Sequence, residues 1–226
     1  MKAKIAIVSP ISYIEQEINK IIVQEFNQIF IDIAPKIQED IKNNLSPLFA
    51  NSDTFKEMTT ELSNLNVEIG IPANEAKAKW LGIFDILTNQ VFIEIDKMRA
   101  TGKQISGGIL CNIIKTDFKD IVESSFGQYI TEKGYLLPWQ RWLLLDGDNI
   151  VISDHHVKLV NPLKPSKYFF SRTGGAIMSK RGSWKVPAGH SGTQDDNWIT
   201  RIIDTYLNEI DKFVYQSFKT RLKNAI

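Results

Sequence analysis

The chain reads as an α+β protein: an antiparallel sheet packed by a long N-terminal helix and a C-terminal helix, with extended loops. Three observations predict this. Isoleucines and other apolar residues recur every three or four positions from Ile11 to Leu45. Short β-branched and aromatic segments, bounded by turn residues, fill the middle of the chain. A second helical stripe runs from Ile199 to Leu222. Strands grouped between helical ends, without strict βα alternation, are the α+β pattern. The spacing places a single α+β domain over 1–226, with a helix over about 10–46, a mixed sheet core over about 64–186 and a helix over about 195–223.

Each element has its own warrant. In the first helix Ile14, Ile18, Ile22, Phe26, Ile29, Ile33, Ile37 and Ile41 form the apolar stripe, while Glu15, Lys20, Gln24, Asp32 and Glu39 occupy other faces. Ser9 or Ser12 can cap its start, with Glu15 completing a capping box from Ser12. Pro35 lacks an N–H and clashes one turn back, which predicts a kink or break near Ala34; Pro47 is expected to end the run. The strict heptad fails, so a core helix is favoured over a coiled coil. Thr54–Leu65 reads as helix, Asn66–Ile71 as an alternating strand, and Asn74–Leu81 as a helix with Trp80 on its apolar side. Gln90–Ile95 and Gly107–Ile114 read as strands, and Thr116–Ser125 as a short helix capped by Thr116. Ile150–Ile152 and His156–Val160, turning at Ser153-Asp154, read as a hairpin; Gly174–Met178 and Trp184–Val186 read as short strands. The last helix starts at Asp195 or Asp196, and Lys219, Arg221 and Lys223 at its end suit the helix dipole.

Composition narrows the class. With 226 residues, 43% hydrophobic and 23% charged, the chain can bury a sizeable core and is not of disordered type. A net charge of +1 supplies no overall field toward nucleic acid or anionic lipid. Cys111 is the only cysteine, so no intramolecular disulfide forms and a reducing compartment is expected. Ile5–Val8 is too short for a signal-peptide core and no apolar run is long enough for a membrane helix, so a cytosolic product without membrane contact is expected.

Four of the five tryptophans fall in two short segments, Leu136–Gly147 and Gly182–Arg201, both rich in Gly, Pro, Asp and Asn. Tryptophan belongs in cores and protein–protein contacts, where its ring is covered and its N–H finds an acceptor. The candidate subunit interface is therefore Trp139, Trp142, Trp184, Trp198, Pro187 and Arg201, and Trp184→Ala or Trp198→Ala is expected to block assembly more than folding.

Catalytic and metal signatures are incomplete in this chain. Gly189-His-Ser-Gly-Thr193 approaches a nucleophile elbow, but Thr193 stands where the second glycine belongs and Pro187-Ala188, not a strand, precedes it. Asp146-Gly-Asp148 fails as a calcium loop because Ile150 and Val151 fall on ligand and glycine positions. His155 and His156 are adjacent and would point to opposite faces of a strand. Gly102-Lys103 lacks the rest of a phosphate loop. The expectation is a protein that is not an enzyme, with no catalytic residue, cofactor or metal. A serine hydrolase built on Ser191 stays as an alternative.

One charge pattern remains. From Val157 to Gln194 there is no acidic residue, yet Lys158, Lys164, Lys167, Arg172, Lys180, Arg181 and Lys185 lie there among Tyr168, Phe169, Phe170 and Trp184. Solvated loop charges are the plain explanation. Lys164, Lys167, Arg172, Lys180, Arg181 and Lys185 are also candidates for contact with DNA in a ring lumen or with an acidic partner, and a DNA-binding module is a further alternative.

The ordered series Pro138–Gly147, Ile150–Ile152, Ser171–Met178, Ser183–Pro187, Gly192-Thr193 and Asp195–Arg201 resembles the C-terminal half of head–tail joining (neck or tail-completion) proteins of tailed bacteriophages. The likeness covers mainly Ile105–Ile210. It implies an α+β ring subunit between the portal or connector and the tail, sealing the junction and letting DNA pass. It also implies no catalytic residues, and as partners the chain itself in a closed ring, neighbouring connector or adaptor proteins, tail terminator or tube proteins, and transiting DNA. The implied location is the virion, after synthesis in the host bacterial cytoplasm. Another tail or baseplate component is the alternative within that resemblance.

Overall fold

The computed structural model describes residues 10–61, 63–102, 104–112, 117–160 and 175–225, with 157–160 and 175–178 by backbone alone. Its elements in order are α1 (Ile11–Phe49), α2 (Asp53–Thr59), α3 (Asn64–Ile69), α4 (Ala73–Asn89), β1 (Phe92–Thr101), β2 (Gln104–Asn112), α5 (Lys119–Val122), β3 (Tyr129–Ile130), β4 (Leu136–Leu137), α6 (Trp139–Leu144), β5 (Ile152–Val160), β6 (Gly175–Trp184) and α7 (Trp198–Ala225). The architecture is α+β, with a long helix at each end. Among the described residues the strands form three separate antiparallel pairs, β1–β2, β3–β4 and β5–β6. The chain divides into two compact units: 1–41 with 91–113 and 212–226, and 42–90 with 114–211.

In the first unit Phe30, Ile33, Ala34, Ile37 and Ile41 form the buried spine of α1. The helix continues through Pro35 and Pro47, correcting the expected break and stop. A helix-interior proline costs about 3 kcal/mol relative to alanine. Both rings lie on the exposed side, where the carbonyls they deprive, those of Ile31 and Asn43, belong to exposed residues that water can serve. The helix also begins one residue before Ser12, so Ser12 is not its cap. The β1–β2 pair is bulged between Asp96 and Arg99. Asn27 of α1 holds the bulge by donating to Met98 O (3.1 Å) and accepting from Met98 N (2.7 Å). Gly107 faces it with φ 123, where a Cβ would lie 2.5 Å from Met98 Cα. The end of α7 is fixed on α1 by Arg221, whose Nη2 reaches Asp40 Oδ1 at 2.7 Å, and by Ser217, whose hydroxyl donates to Asp40 Oδ2 at 2.5 Å. The guanidinium beside Asp40 holds its carboxyl below the usual range, and Ser217 acts in the same direction.

The second unit is built around aromatic rings. Trp80 on α4 lies 4.5 Å from Trp198 and 5.4 Å from Trp139, centroid to centroid and edge to face, and all three rings are buried. Phe49, Phe55 and Phe84 extend the cluster. Residues 66–71, expected as a strand, instead belong largely to α3. Ser63 caps its start, and Gly70 closes it in the left-handed conformation with its N–H on Asn66 O. Leu65, Asn66 and Ile69 share the buried face. The hairpin expected across Ser153-Asp154 is also corrected. β5 passes straight through, Asp154 sits at φ 64 in a register irregularity, and the strand pairs with β6 instead. The two short strands expected within 174–186 merge into β6. Thr116, the expected cap of the short helix, lies outside the described residues; α5 itself spans only Lys119–Val122.

Candidate functional segment between Trp184 and Arg201

Within the second unit the segment from Trp184 to Arg201 joins β6 to α7. Trp184, at the end of β6, donates from Nε1 to Glu68 Oε2 (2.9 Å) and stacks edge-on with Trp142 (6.1 Å). Val186 beside it is fully buried. A turn follows in which the N–H groups of His190 and Ser191 both reach Pro187 O, at 2.8 and 2.9 Å. Gly192 then passes so close to α6 that an added Cβ would lie 2.2 Å from Leu143 O and 2.6 Å from Asn197 Cβ. Its carbonyl accepts from Gly147 N at 2.8 Å.

Asn197 starts α7. Its Oδ1 accepts from Ile199 N (3.0 Å) and Thr200 N (3.2 Å), while its Nδ2 donates back to Thr193 O (2.8 Å). One turn on, Arg201 clamps the loop: Nε to Asp196 Oδ1 (2.6 Å), Nη1 to Gly189 O (3.1 Å) and Nη2 to Ser191 O (3.1 Å). That guanidinium holds the Asp196 carboxyl below its ordinary value. His190 places Nδ1 3.1 Å from Thr54 Oγ1, and burial pushes its ring pKa down.

This geometry revises the proposed interface. Trp139, Trp184 and Trp198 are 0%, 6% and 2% exposed, so their rings are core residues of this chain and offer no face to a neighbour. Trp139 and Trp198 satisfy their N–H groups internally, on Phe126 O (3.1 Å) and Gln140 Oε1 (3.2 Å). Trp142, Pro187 and Arg201 are half-buried, and Arg201 spends three N–H groups inside the loop. Among the basic candidates Lys180, Arg181 and Lys185 are exposed, with Lys185 Nζ 3.1 Å from Asp148 Oδ1. Lys164, Lys167 and Arg172 lie outside the described residues.

The other readings can be placed too. Ser191 is buried and its hydroxyl donates to Ala188 O (3.4 Å), while the adjacent His190 ring turns to Thr54. A nucleophile–base hydrogen bond between the two is not formed in this arrangement. His155 and His156 oppose Lys180 and Ser179 across the strand pair, on opposite faces. Among the described residues no group of three His, Cys, Asp or Glu side chains is arranged to hold a metal, and no helix is long and apolar enough to cross a membrane. A cleft of about 350 Å³ is lined by Asp53, Lys56, Gly189, Trp198, Arg201 and Tyr206, among others. Arg201, its strongest polar group, is already committed to the loop.

What sequence reasoning missed are the partners: Glu68 and Gln140 as acceptors for Trp184 and Trp198, and Thr54 beside His190. Buried indoles demand acceptors, yet nothing local says which distant side chain supplies them. No protein-family model, curated protein or solved structure matches this chain.

Proposed function

We propose that the chain is a structural virion protein of a tailed bacteriophage, a neck or tail-completion ring subunit joining the portal or connector to the tail and letting DNA pass. One observation carries the reading: segments of the ordered series are joined into a single framework. Gly147 bonds to Gly192, Trp198 to Gln140, Trp142 packs on Trp184, and Arg201 closes the loop on Gly189 and Ser191. These contacts fit a series that encodes one folded body, as a ring subunit requires.

With the tryptophans occupied internally, the contacts of such a ring fall on what the framework exposes. The β3–β4 turn presents Ile130, Tyr135 and Leu136, each more than half exposed. The β5–β6 pair presents Lys180 and Arg181. A ring subunit needs two different complementary patches, and elements projecting from a rigid body can supply them. The test is to locate the chain in intact particles by electron microscopy, with mass spectrometry for its presence. Density for a closed ring of this chain between head and tail is expected; its absence from mature particles overturns the proposal.

A further inference from the structure

Charge is divided very unevenly within the second unit. Val157 to Gln194 holds seven Lys or Arg and no Asp or Glu, whereas the rest of that unit holds 18 acidic and nine basic residues. A chain of net +1 thus combines a cationic segment with an anionic body of comparable and opposite charge.

The fold displays the cationic part. Among the described residues β5 and β6 pair only with each other, leaving the outer edge of each strand without a strand partner. Lys180 and Arg181 are exposed on β6. Arg181 holds φ 71, a left-handed backbone that costs free energy for any residue but glycine. His156 secures it: Nδ1 donates to Arg181 O at 2.9 Å, and the ring fills the space beside Gly182, where a Cβ would lie 2.9 Å from Nδ1. The left-handed backbone falls at the register irregularity of the pair, opposite Asp154, and the Arg181 side chain is exposed there.

The anionic part has an equally exposed face. On α7, Asp204, Leu207 and Asp211 follow one another at helical spacing, all exposed, and no basic residue lies between Arg201 and Lys212. Leu207 is 49% exposed, an apolar centre between two carboxylates.

We infer that the β5–β6 pair of one copy docks, through Lys180 and Arg181, on the Asp204–Leu207–Asp211 face of α7 in a second copy. The two patches differ in sign, so each meets the other and not a copy of itself. Made twice between two copies the contact gives a two-fold dimer; made once per pair it runs head to tail until it closes or continues as a filament, and the ring reading selects the second. Closure rests on the ring reading above, and the inference names the two faces such a ring joins. DNA phosphate is the competing occupant for the same cations, but it gives the acidic face no role, whereas a second copy uses both. Complementary charge also sets the register and speeds encounter.

The experiment is sedimentation of the full chain at low and high salt, with circular dichroism confirming that each variant is folded. Association at low salt that weakens as salt rises is expected. Lys180→Glu with Arg181→Asp should weaken it by roughly tenfold or more, and Asp204→Lys with Asp211→Lys by a similar factor. Mixing the two double variants should restore association, because each reversed patch then meets its opposite on the other variant. A chain that stays monomeric at low salt, association indifferent to either reversal, or a mixture that fails to recover overturns the inference. So does duplex DNA binding that the Lys180/Arg181 variant loses while self-association is unchanged. The ring reading fails by a separate result, absence from particles.

Discussion

Gly192→Ala and Gly189→Ala form an internal control within one turn of the loop. At Gly192 the new methyl carbon would sit 2.2 Å from Leu143 O and 2.6 Å from Asn197 Cβ. Carbon–carbon contacts are optimal at about 3.5–4.0 Å, so α6 and the start of α7 must part by roughly 1 Å. Forcing extra atoms into a packed site costs about 1–3 kcal/mol. Moving Asn197 also disturbs the cap of α7, a further ~1 kcal/mol. The expected loss is therefore about 3 kcal/mol, the sum of those overpacking and capping costs. At Gly189 an added Cβ meets nothing within 4 Å and the backbone is not left-handed. There alanine should leave stability unchanged or raise it by about 0.5 kcal/mol through the unfolded chain. Urea unfolding followed by far-ultraviolet circular dichroism reads both, and the Gly192 variant should lose on the order of 1 M in midpoint. Equal midpoints for the two variants would refute the close approach of α6 and α7 at Gly192.

Three more outcomes follow from the same contacts. Trp198→Ala should lose about 3–5 kcal/mol in thermal or urea unfolding of the isolated chain, a folding effect that precedes any assembly defect; a variant as stable as the parent would contradict the burial of that ring. Asp40 titrates below its ordinary value in the folded state, chiefly through its hydrogen bond to Arg221. Its stabilisation is therefore complete above the unfolded carboxyl pKa of about 3.9 and fades as pH falls through the lower folded value, so Arg221→Met should cost stability at neutral pH and progressively less in acid. His190 is depressed by burial, so the unfolded chain takes up a proton first. Stability should fall as pH drops below about 6.5, and His190→Gln should flatten that slope; nuclear magnetic resonance titration of the ring gives the folded value directly.

Helices with long stripes were legible because burial follows the stripe: α1 and α7 appear near where the spacing puts them, whereas Asn74–Leu81, read as helix from its Ala, Lys and Glu content, is only the first half of α4. Segments decided by a single cap were not. Val67, Ile69 and Ile71 alternate as a strand would, but Ser63 and Gly70 close a helix around them and Leu65 shares its buried face with Ile69. Those two cap residues were visible in the sequence and carried more weight than the alternation. Ser153-Asp154 has the composition of a turn, yet Asp154 adopts its positive φ inside a strand, because the pairing partner arrives from Gly175–Trp184 far along the chain. Pro35 predicts a kink or break and Pro47 a stop because local chemistry disfavours a proline inside a helix; the helix, with a spine buried from Phe30 to Phe49, neither breaks at the first nor stops at the second. The tryptophan segments read in sequence as a surface for sister copies, but Trp139, Trp184 and Trp198 are buried within this chain, and Trp139 and Trp198 pack on Trp80. Whether an indole is covered by its own chain or by a sister copy is a three-dimensional fact that spacing does not encode.

All five indoles lie in the second unit, two of them, Trp139 and Trp198, edge to face on Trp80. Tryptophan emission, excited at the red edge where tyrosine does not absorb, is thus blind to the unit built from the first part of α1, β1–β2 and the last part of α7. Comparing it with the far-ultraviolet signal, to which both units contribute, distinguishes a molecule that melts as one body from one that comes apart in two steps. The chain carries the dye for that measurement without any label being added.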